Sequence, residues 1–144
     1  MLKQIADDIK FEFAARPIRY ICNVKEAFIL GDALYLCSAL ENLMRNACNY
    51  TPANTAIALT LTNKSSAWQI TVRDYGQGVN EDPANLLKPF YRAGGQMHTA
   101  GFGLGLSIAS RAIETLGGTL ELANHKAGGL IATIHLPKAK LADD

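Results

Sequence analysis

The spacing of apolar positions changes several times along the chain, and each change marks an element. Leu2, Ile5, Ile9 and Phe13 recur at three- and four-residue steps with charges between them, which predicts an amphipathic helix over residues 2–15. Pro17 breaks it. Ile18 to Val24 alternates loosely, as a strand does. Gly31-Asp32 then supplies a turn and an N-cap for the longest helix, Asp32 to Tyr50. Its apolar stripe runs through Ala33, Leu36, Cys37, Leu40, Leu43, Met44 and Ala47, and Thr51-Pro52 stops it. Residues 56–63 and 67–74 alternate threonines with aliphatics, and Asn63-Lys64-Ser65-Ser66 between them reads as a hairpin turn. Residues 79–100 carry no clear period; Pro83, Pro89, Gly94 and Gly95 punctuate them, with room for a short helix from Pro83 to Leu87. Helical spacing returns over Ser107 to Leu116 and ends at Gly117-Gly118. Thr119 to Asn124 is a strand, His125 to Gly129 a turn, and Leu130 to Leu136 the last strand, closed by Pro137. Residues 139–144, ending in Ala142-Asp143-Asp144, are expected to be a disordered tail.

A chain of 144 residues with 49% hydrophobic content suffices for one globular domain with its own core. The formal net charge of +1 leaves no nucleic-acid or membrane-surface footprint. No apolar run approaches transmembrane length and no signal peptide opens the chain. Cys22, Cys37 and Cys48 are odd in number and lack metal-ligand spacing, so they are expected as buried thiols in a reducing compartment. His125 and His135 have no carboxylate or thiol partner at metal spacing and read as structural, and His98 reads as a polar loop residue.

Three stretches carry candidate chemistry. Gly101-Phe102-Gly103-Leu104-Gly105-Leu106 places glycine at every second position just before a helix. Bare N–H groups in such a loop, together with a helix N-terminus, form an anion cradle; a tight turn is the plain alternative. Asn42, Asn46 and Asn49 fall four and three residues apart, on one face of the long helix. They make either a solvated polar face or a row of neutral oxygens able to hold hydrated Mg²⁺ and phosphate. Asp74-Tyr75-Gly76-Gln77-Gly78 ends a strand in a carboxylate beside open backbone, suited to accept from an adenine amino group or to make an Asp-Gly turn. Phe90-Tyr91-Arg92 adds an aromatic–cation cluster within the long irregular segment, where a lid is expected.

Taken in order and spacing, these stretches resemble the ATP-binding catalytic domain of bacterial sensor histidine kinases, within the ATPase group shared with gyrase, Hsp90 and MutL. The resemblance runs from about Ile5 to Pro137. Leu40 to Ala47 is similar to the family's N box, Asp74 to Gly78 to its G1 box, Pro89 to Arg92 to its F box, and Gly101 to Leu106 to its G2 box. It implies an α/β (α+β) two-layer sandwich, the Bergerat or GHKL ATPase fold. A mixed, mostly antiparallel sheet is then covered on one face by three helices. It implies that Asn46 coordinates Mg²⁺ and Asn42 supports the phosphate or a metal-bound water. Asp74 would accept from the adenine amino group while Gly76 and Gly78 let the base approach. Tyr50 would pack on the purine, Gly101, Gly103 and Gly105 would cradle the phosphates with Leu104 packing below, and Phe90 and Arg92 would belong to the lid. Asn49, Val79, Phe102 and Leu106 would complete the nucleotide contacts.

The chain departs from the family at a few places. Lys or Arg is usual where Asn49 stands, Thr, Ser or Gln where Phe102 stands, and often Thr where Leu130 stands. The family's phosphoacceptor histidine lies in a preceding helical dimerisation domain, and none of the three histidines here sits in such a helix. The expected organisation is a junction over residues 1–15, the ATP-binding domain over 16–138, and the tail. The expected partners are ATP or ADP, the dimerisation domain and a response regulator, with the isolated domain a monomer on the cytoplasmic side of an inner-membrane sensor. A hydrolytic ATPase of the gyrase type, or a non-catalytic nucleotide-sensing module, are the alternatives. The hydrolytic enzymes carry a glutamate where Asn42 stands, with Glu41 one step away.

Overall fold

The computed structural model describes residues 1–14, 16–24, 27–29, 31–89 and 105–138. Three helices, α1 (Leu2–Glu12), α2 (Ala33–Asn49) and α3 (Gly105–Thr115), pack on a five-stranded sheet. The strands are β1 (Ile18–Cys22), β2 (Ile57–Asn63), β3 (Ala67–Asp74), β4 (Thr119–Asn124) and β5 (Leu130–Pro137), in the spatial order β1-β2-β3-β5-β4. The β1–β2 pair is parallel, as a connection through a whole helix permits, and every other pair is antiparallel. Strand β3 buries Trp68, Ile70, Val72 and Asp74 in alternation with half-buried neighbours, so one face of the sheet meets the helices. This is the mixed two-layer sandwich that the resemblance implied, with helices and strands in the order the spacing predicted.

Amphipathic spacing explains which faces meet. Leu36, Leu40, Leu43, Met44 and Ala47 of α2 are buried against the sheet, with Ile5 and Ile9 of α1 and Ala109 and Ile113 of α3 in the same core. Asp32 caps α2, its carboxylate accepting from the Leu34 N–H at 2.9 Å. The helix α1 ends at Glu12, short of the expected residue 15. A residue before proline avoids helical backbone, and the Arg16 N–H instead closes a turn onto the Phe13 carbonyl. β1 stops at Cys22, before the expected Val24, and α3 begins at Gly105 rather than Ser107. The segment Pro83–Leu87 is a 3-10 helix, capped by the Asp82 carboxylate on Ala84 N–H. The three cysteines are unpaired; Cys48 is buried, while Cys22 and Cys37 are half-buried against the core. Burial pushes the Cys48 thiol up, against the pull of the nearby Arg16 charge. The end of the domain is tied by the Trp68 indole, which donates to the Phe28 carbonyl at 3.1 Å, and by a bridge between Ile29 and Lys138. His125 and His135 serve structure: the first accepts from Ala127 N–H in the β4–β5 turn, and the second pairs with Gln69 across β3 and β5.

Leu40→Ala empties a fully buried position and is expected to cost about 2–5 kcal/mol. Phe11→Ala removes a ring that is 89% exposed and should change stability by no more than about 0.5 kcal/mol. Urea unfolding followed by circular dichroism checks both. In the β4–β5 turn, Gly129 holds φ at +85°, and a Cβ there would overlap the Asp74 carbonyl oxygen. Gly128 also has a positive φ, but a Cβ there would meet nothing closer than 3.9 Å. Gly129→Ala is therefore expected to destabilise more than Gly128→Ala, by about 1–3 kcal/mol, in the same assay.

Candidate functional site

A cleft with about 250 Å³ of free space, counting its open mouth, lies between α2, α3 and the sheet. Asn46 and Asp74 both line it, so the helix row of amides and the strand-end carboxylate share one cavity. The remaining lining is aliphatic, from Leu43 and Ala47 of α2, Val72 of β3, Leu106 of α3, Leu122 of β4, and Leu130 and Ala132 of β5. Among the lining residues Asp74 is the one charged group. Aliphatic walls with one carboxylate and one amide suit a poorly hydrated group that carries a hydrogen-bond donor.

Asp74 is 7% exposed. Its Oδ1 accepts from the main-chain N–H groups of Gly76 and Leu130, each at 3.0 Å. Its Oδ2 makes no hydrogen bond among the described residues. Having no protein partner, that oxygen is available to accept from a donor in the cleft that Asp74 lines. Leu130, where the family often has threonine, thus supports Asp74 through its backbone and lines the cleft with its side chain.

Asn42 and Asn46 are both half-buried on α2. The Asn42 Oδ1 lies 3.6 Å from where a Cβ on Gly105 would sit, which puts this amide beside the first residue of α3. Asn49 and Tyr50 are exposed at the C-terminal end of α2, and neither is among the residues lining the cleft. Leu106 lines it. Phe90, Arg92, His98, Gly101, Phe102, Gly103 and Leu104 lie outside the described residues. Glu41 pairs with Arg45 at 3.5 Å and does not line the cleft, which leaves it badly placed as the base of a hydrolytic ATPase.

Four residues that sequence reasoning missed hold the site's backbone. The Asn124 amide makes two hydrogen bonds with Val79, accepting from its N–H at 2.9 Å and donating to its carbonyl at 2.8 Å, and so pins the loop after Asp74 to the end of β4. Arg73 donates to the Gly128 carbonyl and stacks 4.2 Å from the Tyr75 ring centre. The Thr51 hydroxyl donates to the Ala47 carbonyl at 2.6 Å. Arg16, 5% exposed, donates to the Ala47 and Thr51 carbonyls and to the Thr51 hydroxyl. The only sequence signal for any of these was Thr51-Pro52, which read as a helix stop.

Residues 31–140 match the model of the histidine kinase-, DNA gyrase B-, and HSP90-like ATPase family. The chain is 35% identical over 136 residues to the sensor protein PfeS of Pseudomonas aeruginosa, covering 94% of this chain and 30% of PfeS. It is 30% identical over 145 residues to the sensor protein kinase PmrB of the same organism, again covering 30% of that protein. The chain thus spans about a third of the length of these relatives. Its fold matches the mycobacterial sensor histidine kinase MprB with a TM-score of 0.83 at 19% identity, covering 97% of both chains. It also matches full-length ShkA, solved in complex with AMPPNP, with a TM-score of 0.78 at 27% identity, covering 98% of this chain and 30% of ShkA. With its matched residues, its sheet order and a cleft shared by Asn46 and Asp74, the chain belongs to the histidine kinase-, DNA gyrase B- and HSP90-like ATPase family, as the ATP-binding catalytic domain of a sensor histidine kinase.

Proposed function

We propose that the cleft binds Mg·ATP with its base in the aliphatic slot and presents the γ-phosphate to a histidine on a separate domain. The observation that carries this reading is the Asp74 carboxylate, at the wall of a cleft lined otherwise by aliphatic side chains and Asn46, with one oxygen left for a donor. An adenine amino group supplies that donor, and Gly76 and Gly78 are proposed to let the base approach by keeping the loop after Asp74 close to Thr51 and Asn124, which a Cβ on either would meet. Asn46 offers one neutral oxygen, and Mg²⁺ prefers a few hard oxygens with the rest of its shell water and phosphate. Such an ion neutralises phosphate charge, and Asn42, Asn46 and the start of α3 orient the chain's side of that interaction. The glycines 101, 103 and 105 and the lid residues Phe90 and Arg92 are proposed to close over the phosphates. Tyr50 is proposed to flank the purine, with Asn49, Val79, Phe102, Leu104 and Leu106 around the nucleotide.

Residues 1–15 are proposed as the junction to a dimerisation and phosphoacceptor domain, with 16–138 as the ATP-binding unit. Ile5, Ala6 and Ile9 of α1 are buried in the core, so that junction would arrive as a packed helix rather than a free linker. Neither His125 nor His135 lies on a helix, so the chain alone is not expected to phosphorylate itself. A response regulator completes the proposed relay. The domain is proposed to be monomeric by itself and to face the cytoplasm in a membrane-anchored sensor. No helix among the described residues is long and apolar enough to cross a membrane.

Calorimetric titration with ADP in the presence of Mg²⁺ is expected to give saturable one-site binding. Asp74→Asn keeps the shape but replaces an acceptor oxygen with a donor, and should weaken binding at least about tenfold. An absence of binding by the unmodified protein contradicts the proposal, as does equal affinity in the Asp74→Asn variant.

A further inference from the structure

Arg16 is a buried cation, 5% exposed, with no carboxylate partner among the described residues. Its partners are the Ala47 carbonyl at 3.4 Å, the Thr51 carbonyl at 3.3 Å and the Thr51 hydroxyl, and its Nε is buried without a partner. Burying a guanidinium this way is costly, and an aliphatic side chain would fill the same space without that cost. The position is therefore explained by what the fork does rather than by packing.

Its acceptors sit at the C-terminal end of α2, where the last carbonyls have no helical partner and the helix carries partial negative charge. A planar guanidinium spans several such oxygens at once, which a lysine ammonium does not. Both residues it grips border the site. Ala47 lines the cleft next to Asn46. The Thr51 Cγ2 lies 2.8 Å from where a Cβ on Gly76 would sit, so the methyl is pressed against this glycine, whose N–H holds the Asp74 Oδ1. A continuous line of contacts thus runs from Arg16 through Thr51 and Gly76 to the carboxylate.

We infer that Arg16 is a positioning residue for the purine end of the nucleotide site, setting Asp74 and the Ala47 wall through Thr51. This rests on the reading of Asp74 as the acceptor for the base. It adds a residue from the chain's entry segment, directly after α1, to the machinery of the site.

The test measures ADP and adenosine affinity by competition against a fluorescent ADP analogue, at a temperature where circular dichroism shows each variant folded. Arg16→Met is expected to weaken both ligands by the same factor, about tenfold, because the defect lies at the base and not at the phosphates. Arg16→Lys should lose less, by keeping one contact. Glu12→Gln breaks the neighbouring ion pair from α1 to Arg45 of α2 and is expected to lower the melting temperature while leaving both affinities unchanged. That control separates loss of α1–α2 packing from loss of site geometry. Should Arg16→Met not fold, Arg16→Lys and Thr51→Ser decide; the latter keeps the hydroxyl and removes the methyl on Gly76, and both should weaken adenosine. Wild-type affinity in the folded Arg16 variants overturns the inference, and so does a loss seen for ADP but not adenosine. If the unmodified protein binds no ADP, the reading of the site fails first and this inference with it.

Discussion

One carboxylate oxygen joins the two halves of the site. Asp74 Oδ1 accepts from Gly76, in the loop that leaves β3, and from Leu130, the first residue of β5. The two donors are 54 residues apart in sequence, and the single acceptor fixes both backbones around it. The same bonds orient the carboxylate, so that its second oxygen is left for the cleft. Gly129 fits only because the Asp74 main chain passes so close that any side chain there would collide with it. Fold and chemistry therefore place the same demand on this corner, and a change that loosens the corner should be felt in both.

The opposite wall is α2, which does two jobs with two faces. Its apolar face supplies the centre of the core, with Leu40 and Met44 fully buried. Hydrophobic burial of that face fixes the rotation of the helix. Once the rotation is fixed, Asn46 lies at the cleft and Asn42 near the start of α3, while Asn49, further along the same row, is left in solvent. Asn49 points nearly the same way as Asn42 but lies about 10 Å further along the axis, at the last residue of the helix, so three asparagines on one sequence stripe need not reach one cavity. The helix stays anchored at both ends, by the Asp32 cap at the start and by the Arg16 fork at the finish.

Much of this was legible in the chain itself. The stripe of α2, the Asp32 cap and the hairpin between β2 and β3 follow from short-range rules. So does the strand end at Asp74, and Asn46 and Asp74 do meet in one cavity. What the chain hid were interactions between distant main-chain groups. Nothing in the side chain of Leu130 announces that its N–H will hold Asp74. Nothing around Arg16, flanked by alanines and a proline, announces that it will fold back under a helix 31 residues away. Asn124 looked like a strand end, yet its amide clamps Val79. Such contacts depend on where the sheet brings loops together, and periodicity does not encode that. The boundaries that shifted did so for local reasons: the restriction before Pro17 shortens α1, and the five residues from Pro83 close as a tighter helix.

The account stands on the base of a nucleotide meeting Asp74 inside the cleft. A crystal structure of the chain with Mg·ADP measures this directly. The account predicts the adenine amino group within hydrogen-bond distance of the Asp74 carboxylate, with the ring enclosed by the aliphatic lining and the Gly76 and Leu130 bonds intact. A nucleotide bound outside the cleft, or an adenine that leaves the Asp74 carboxylate untouched, would contradict it.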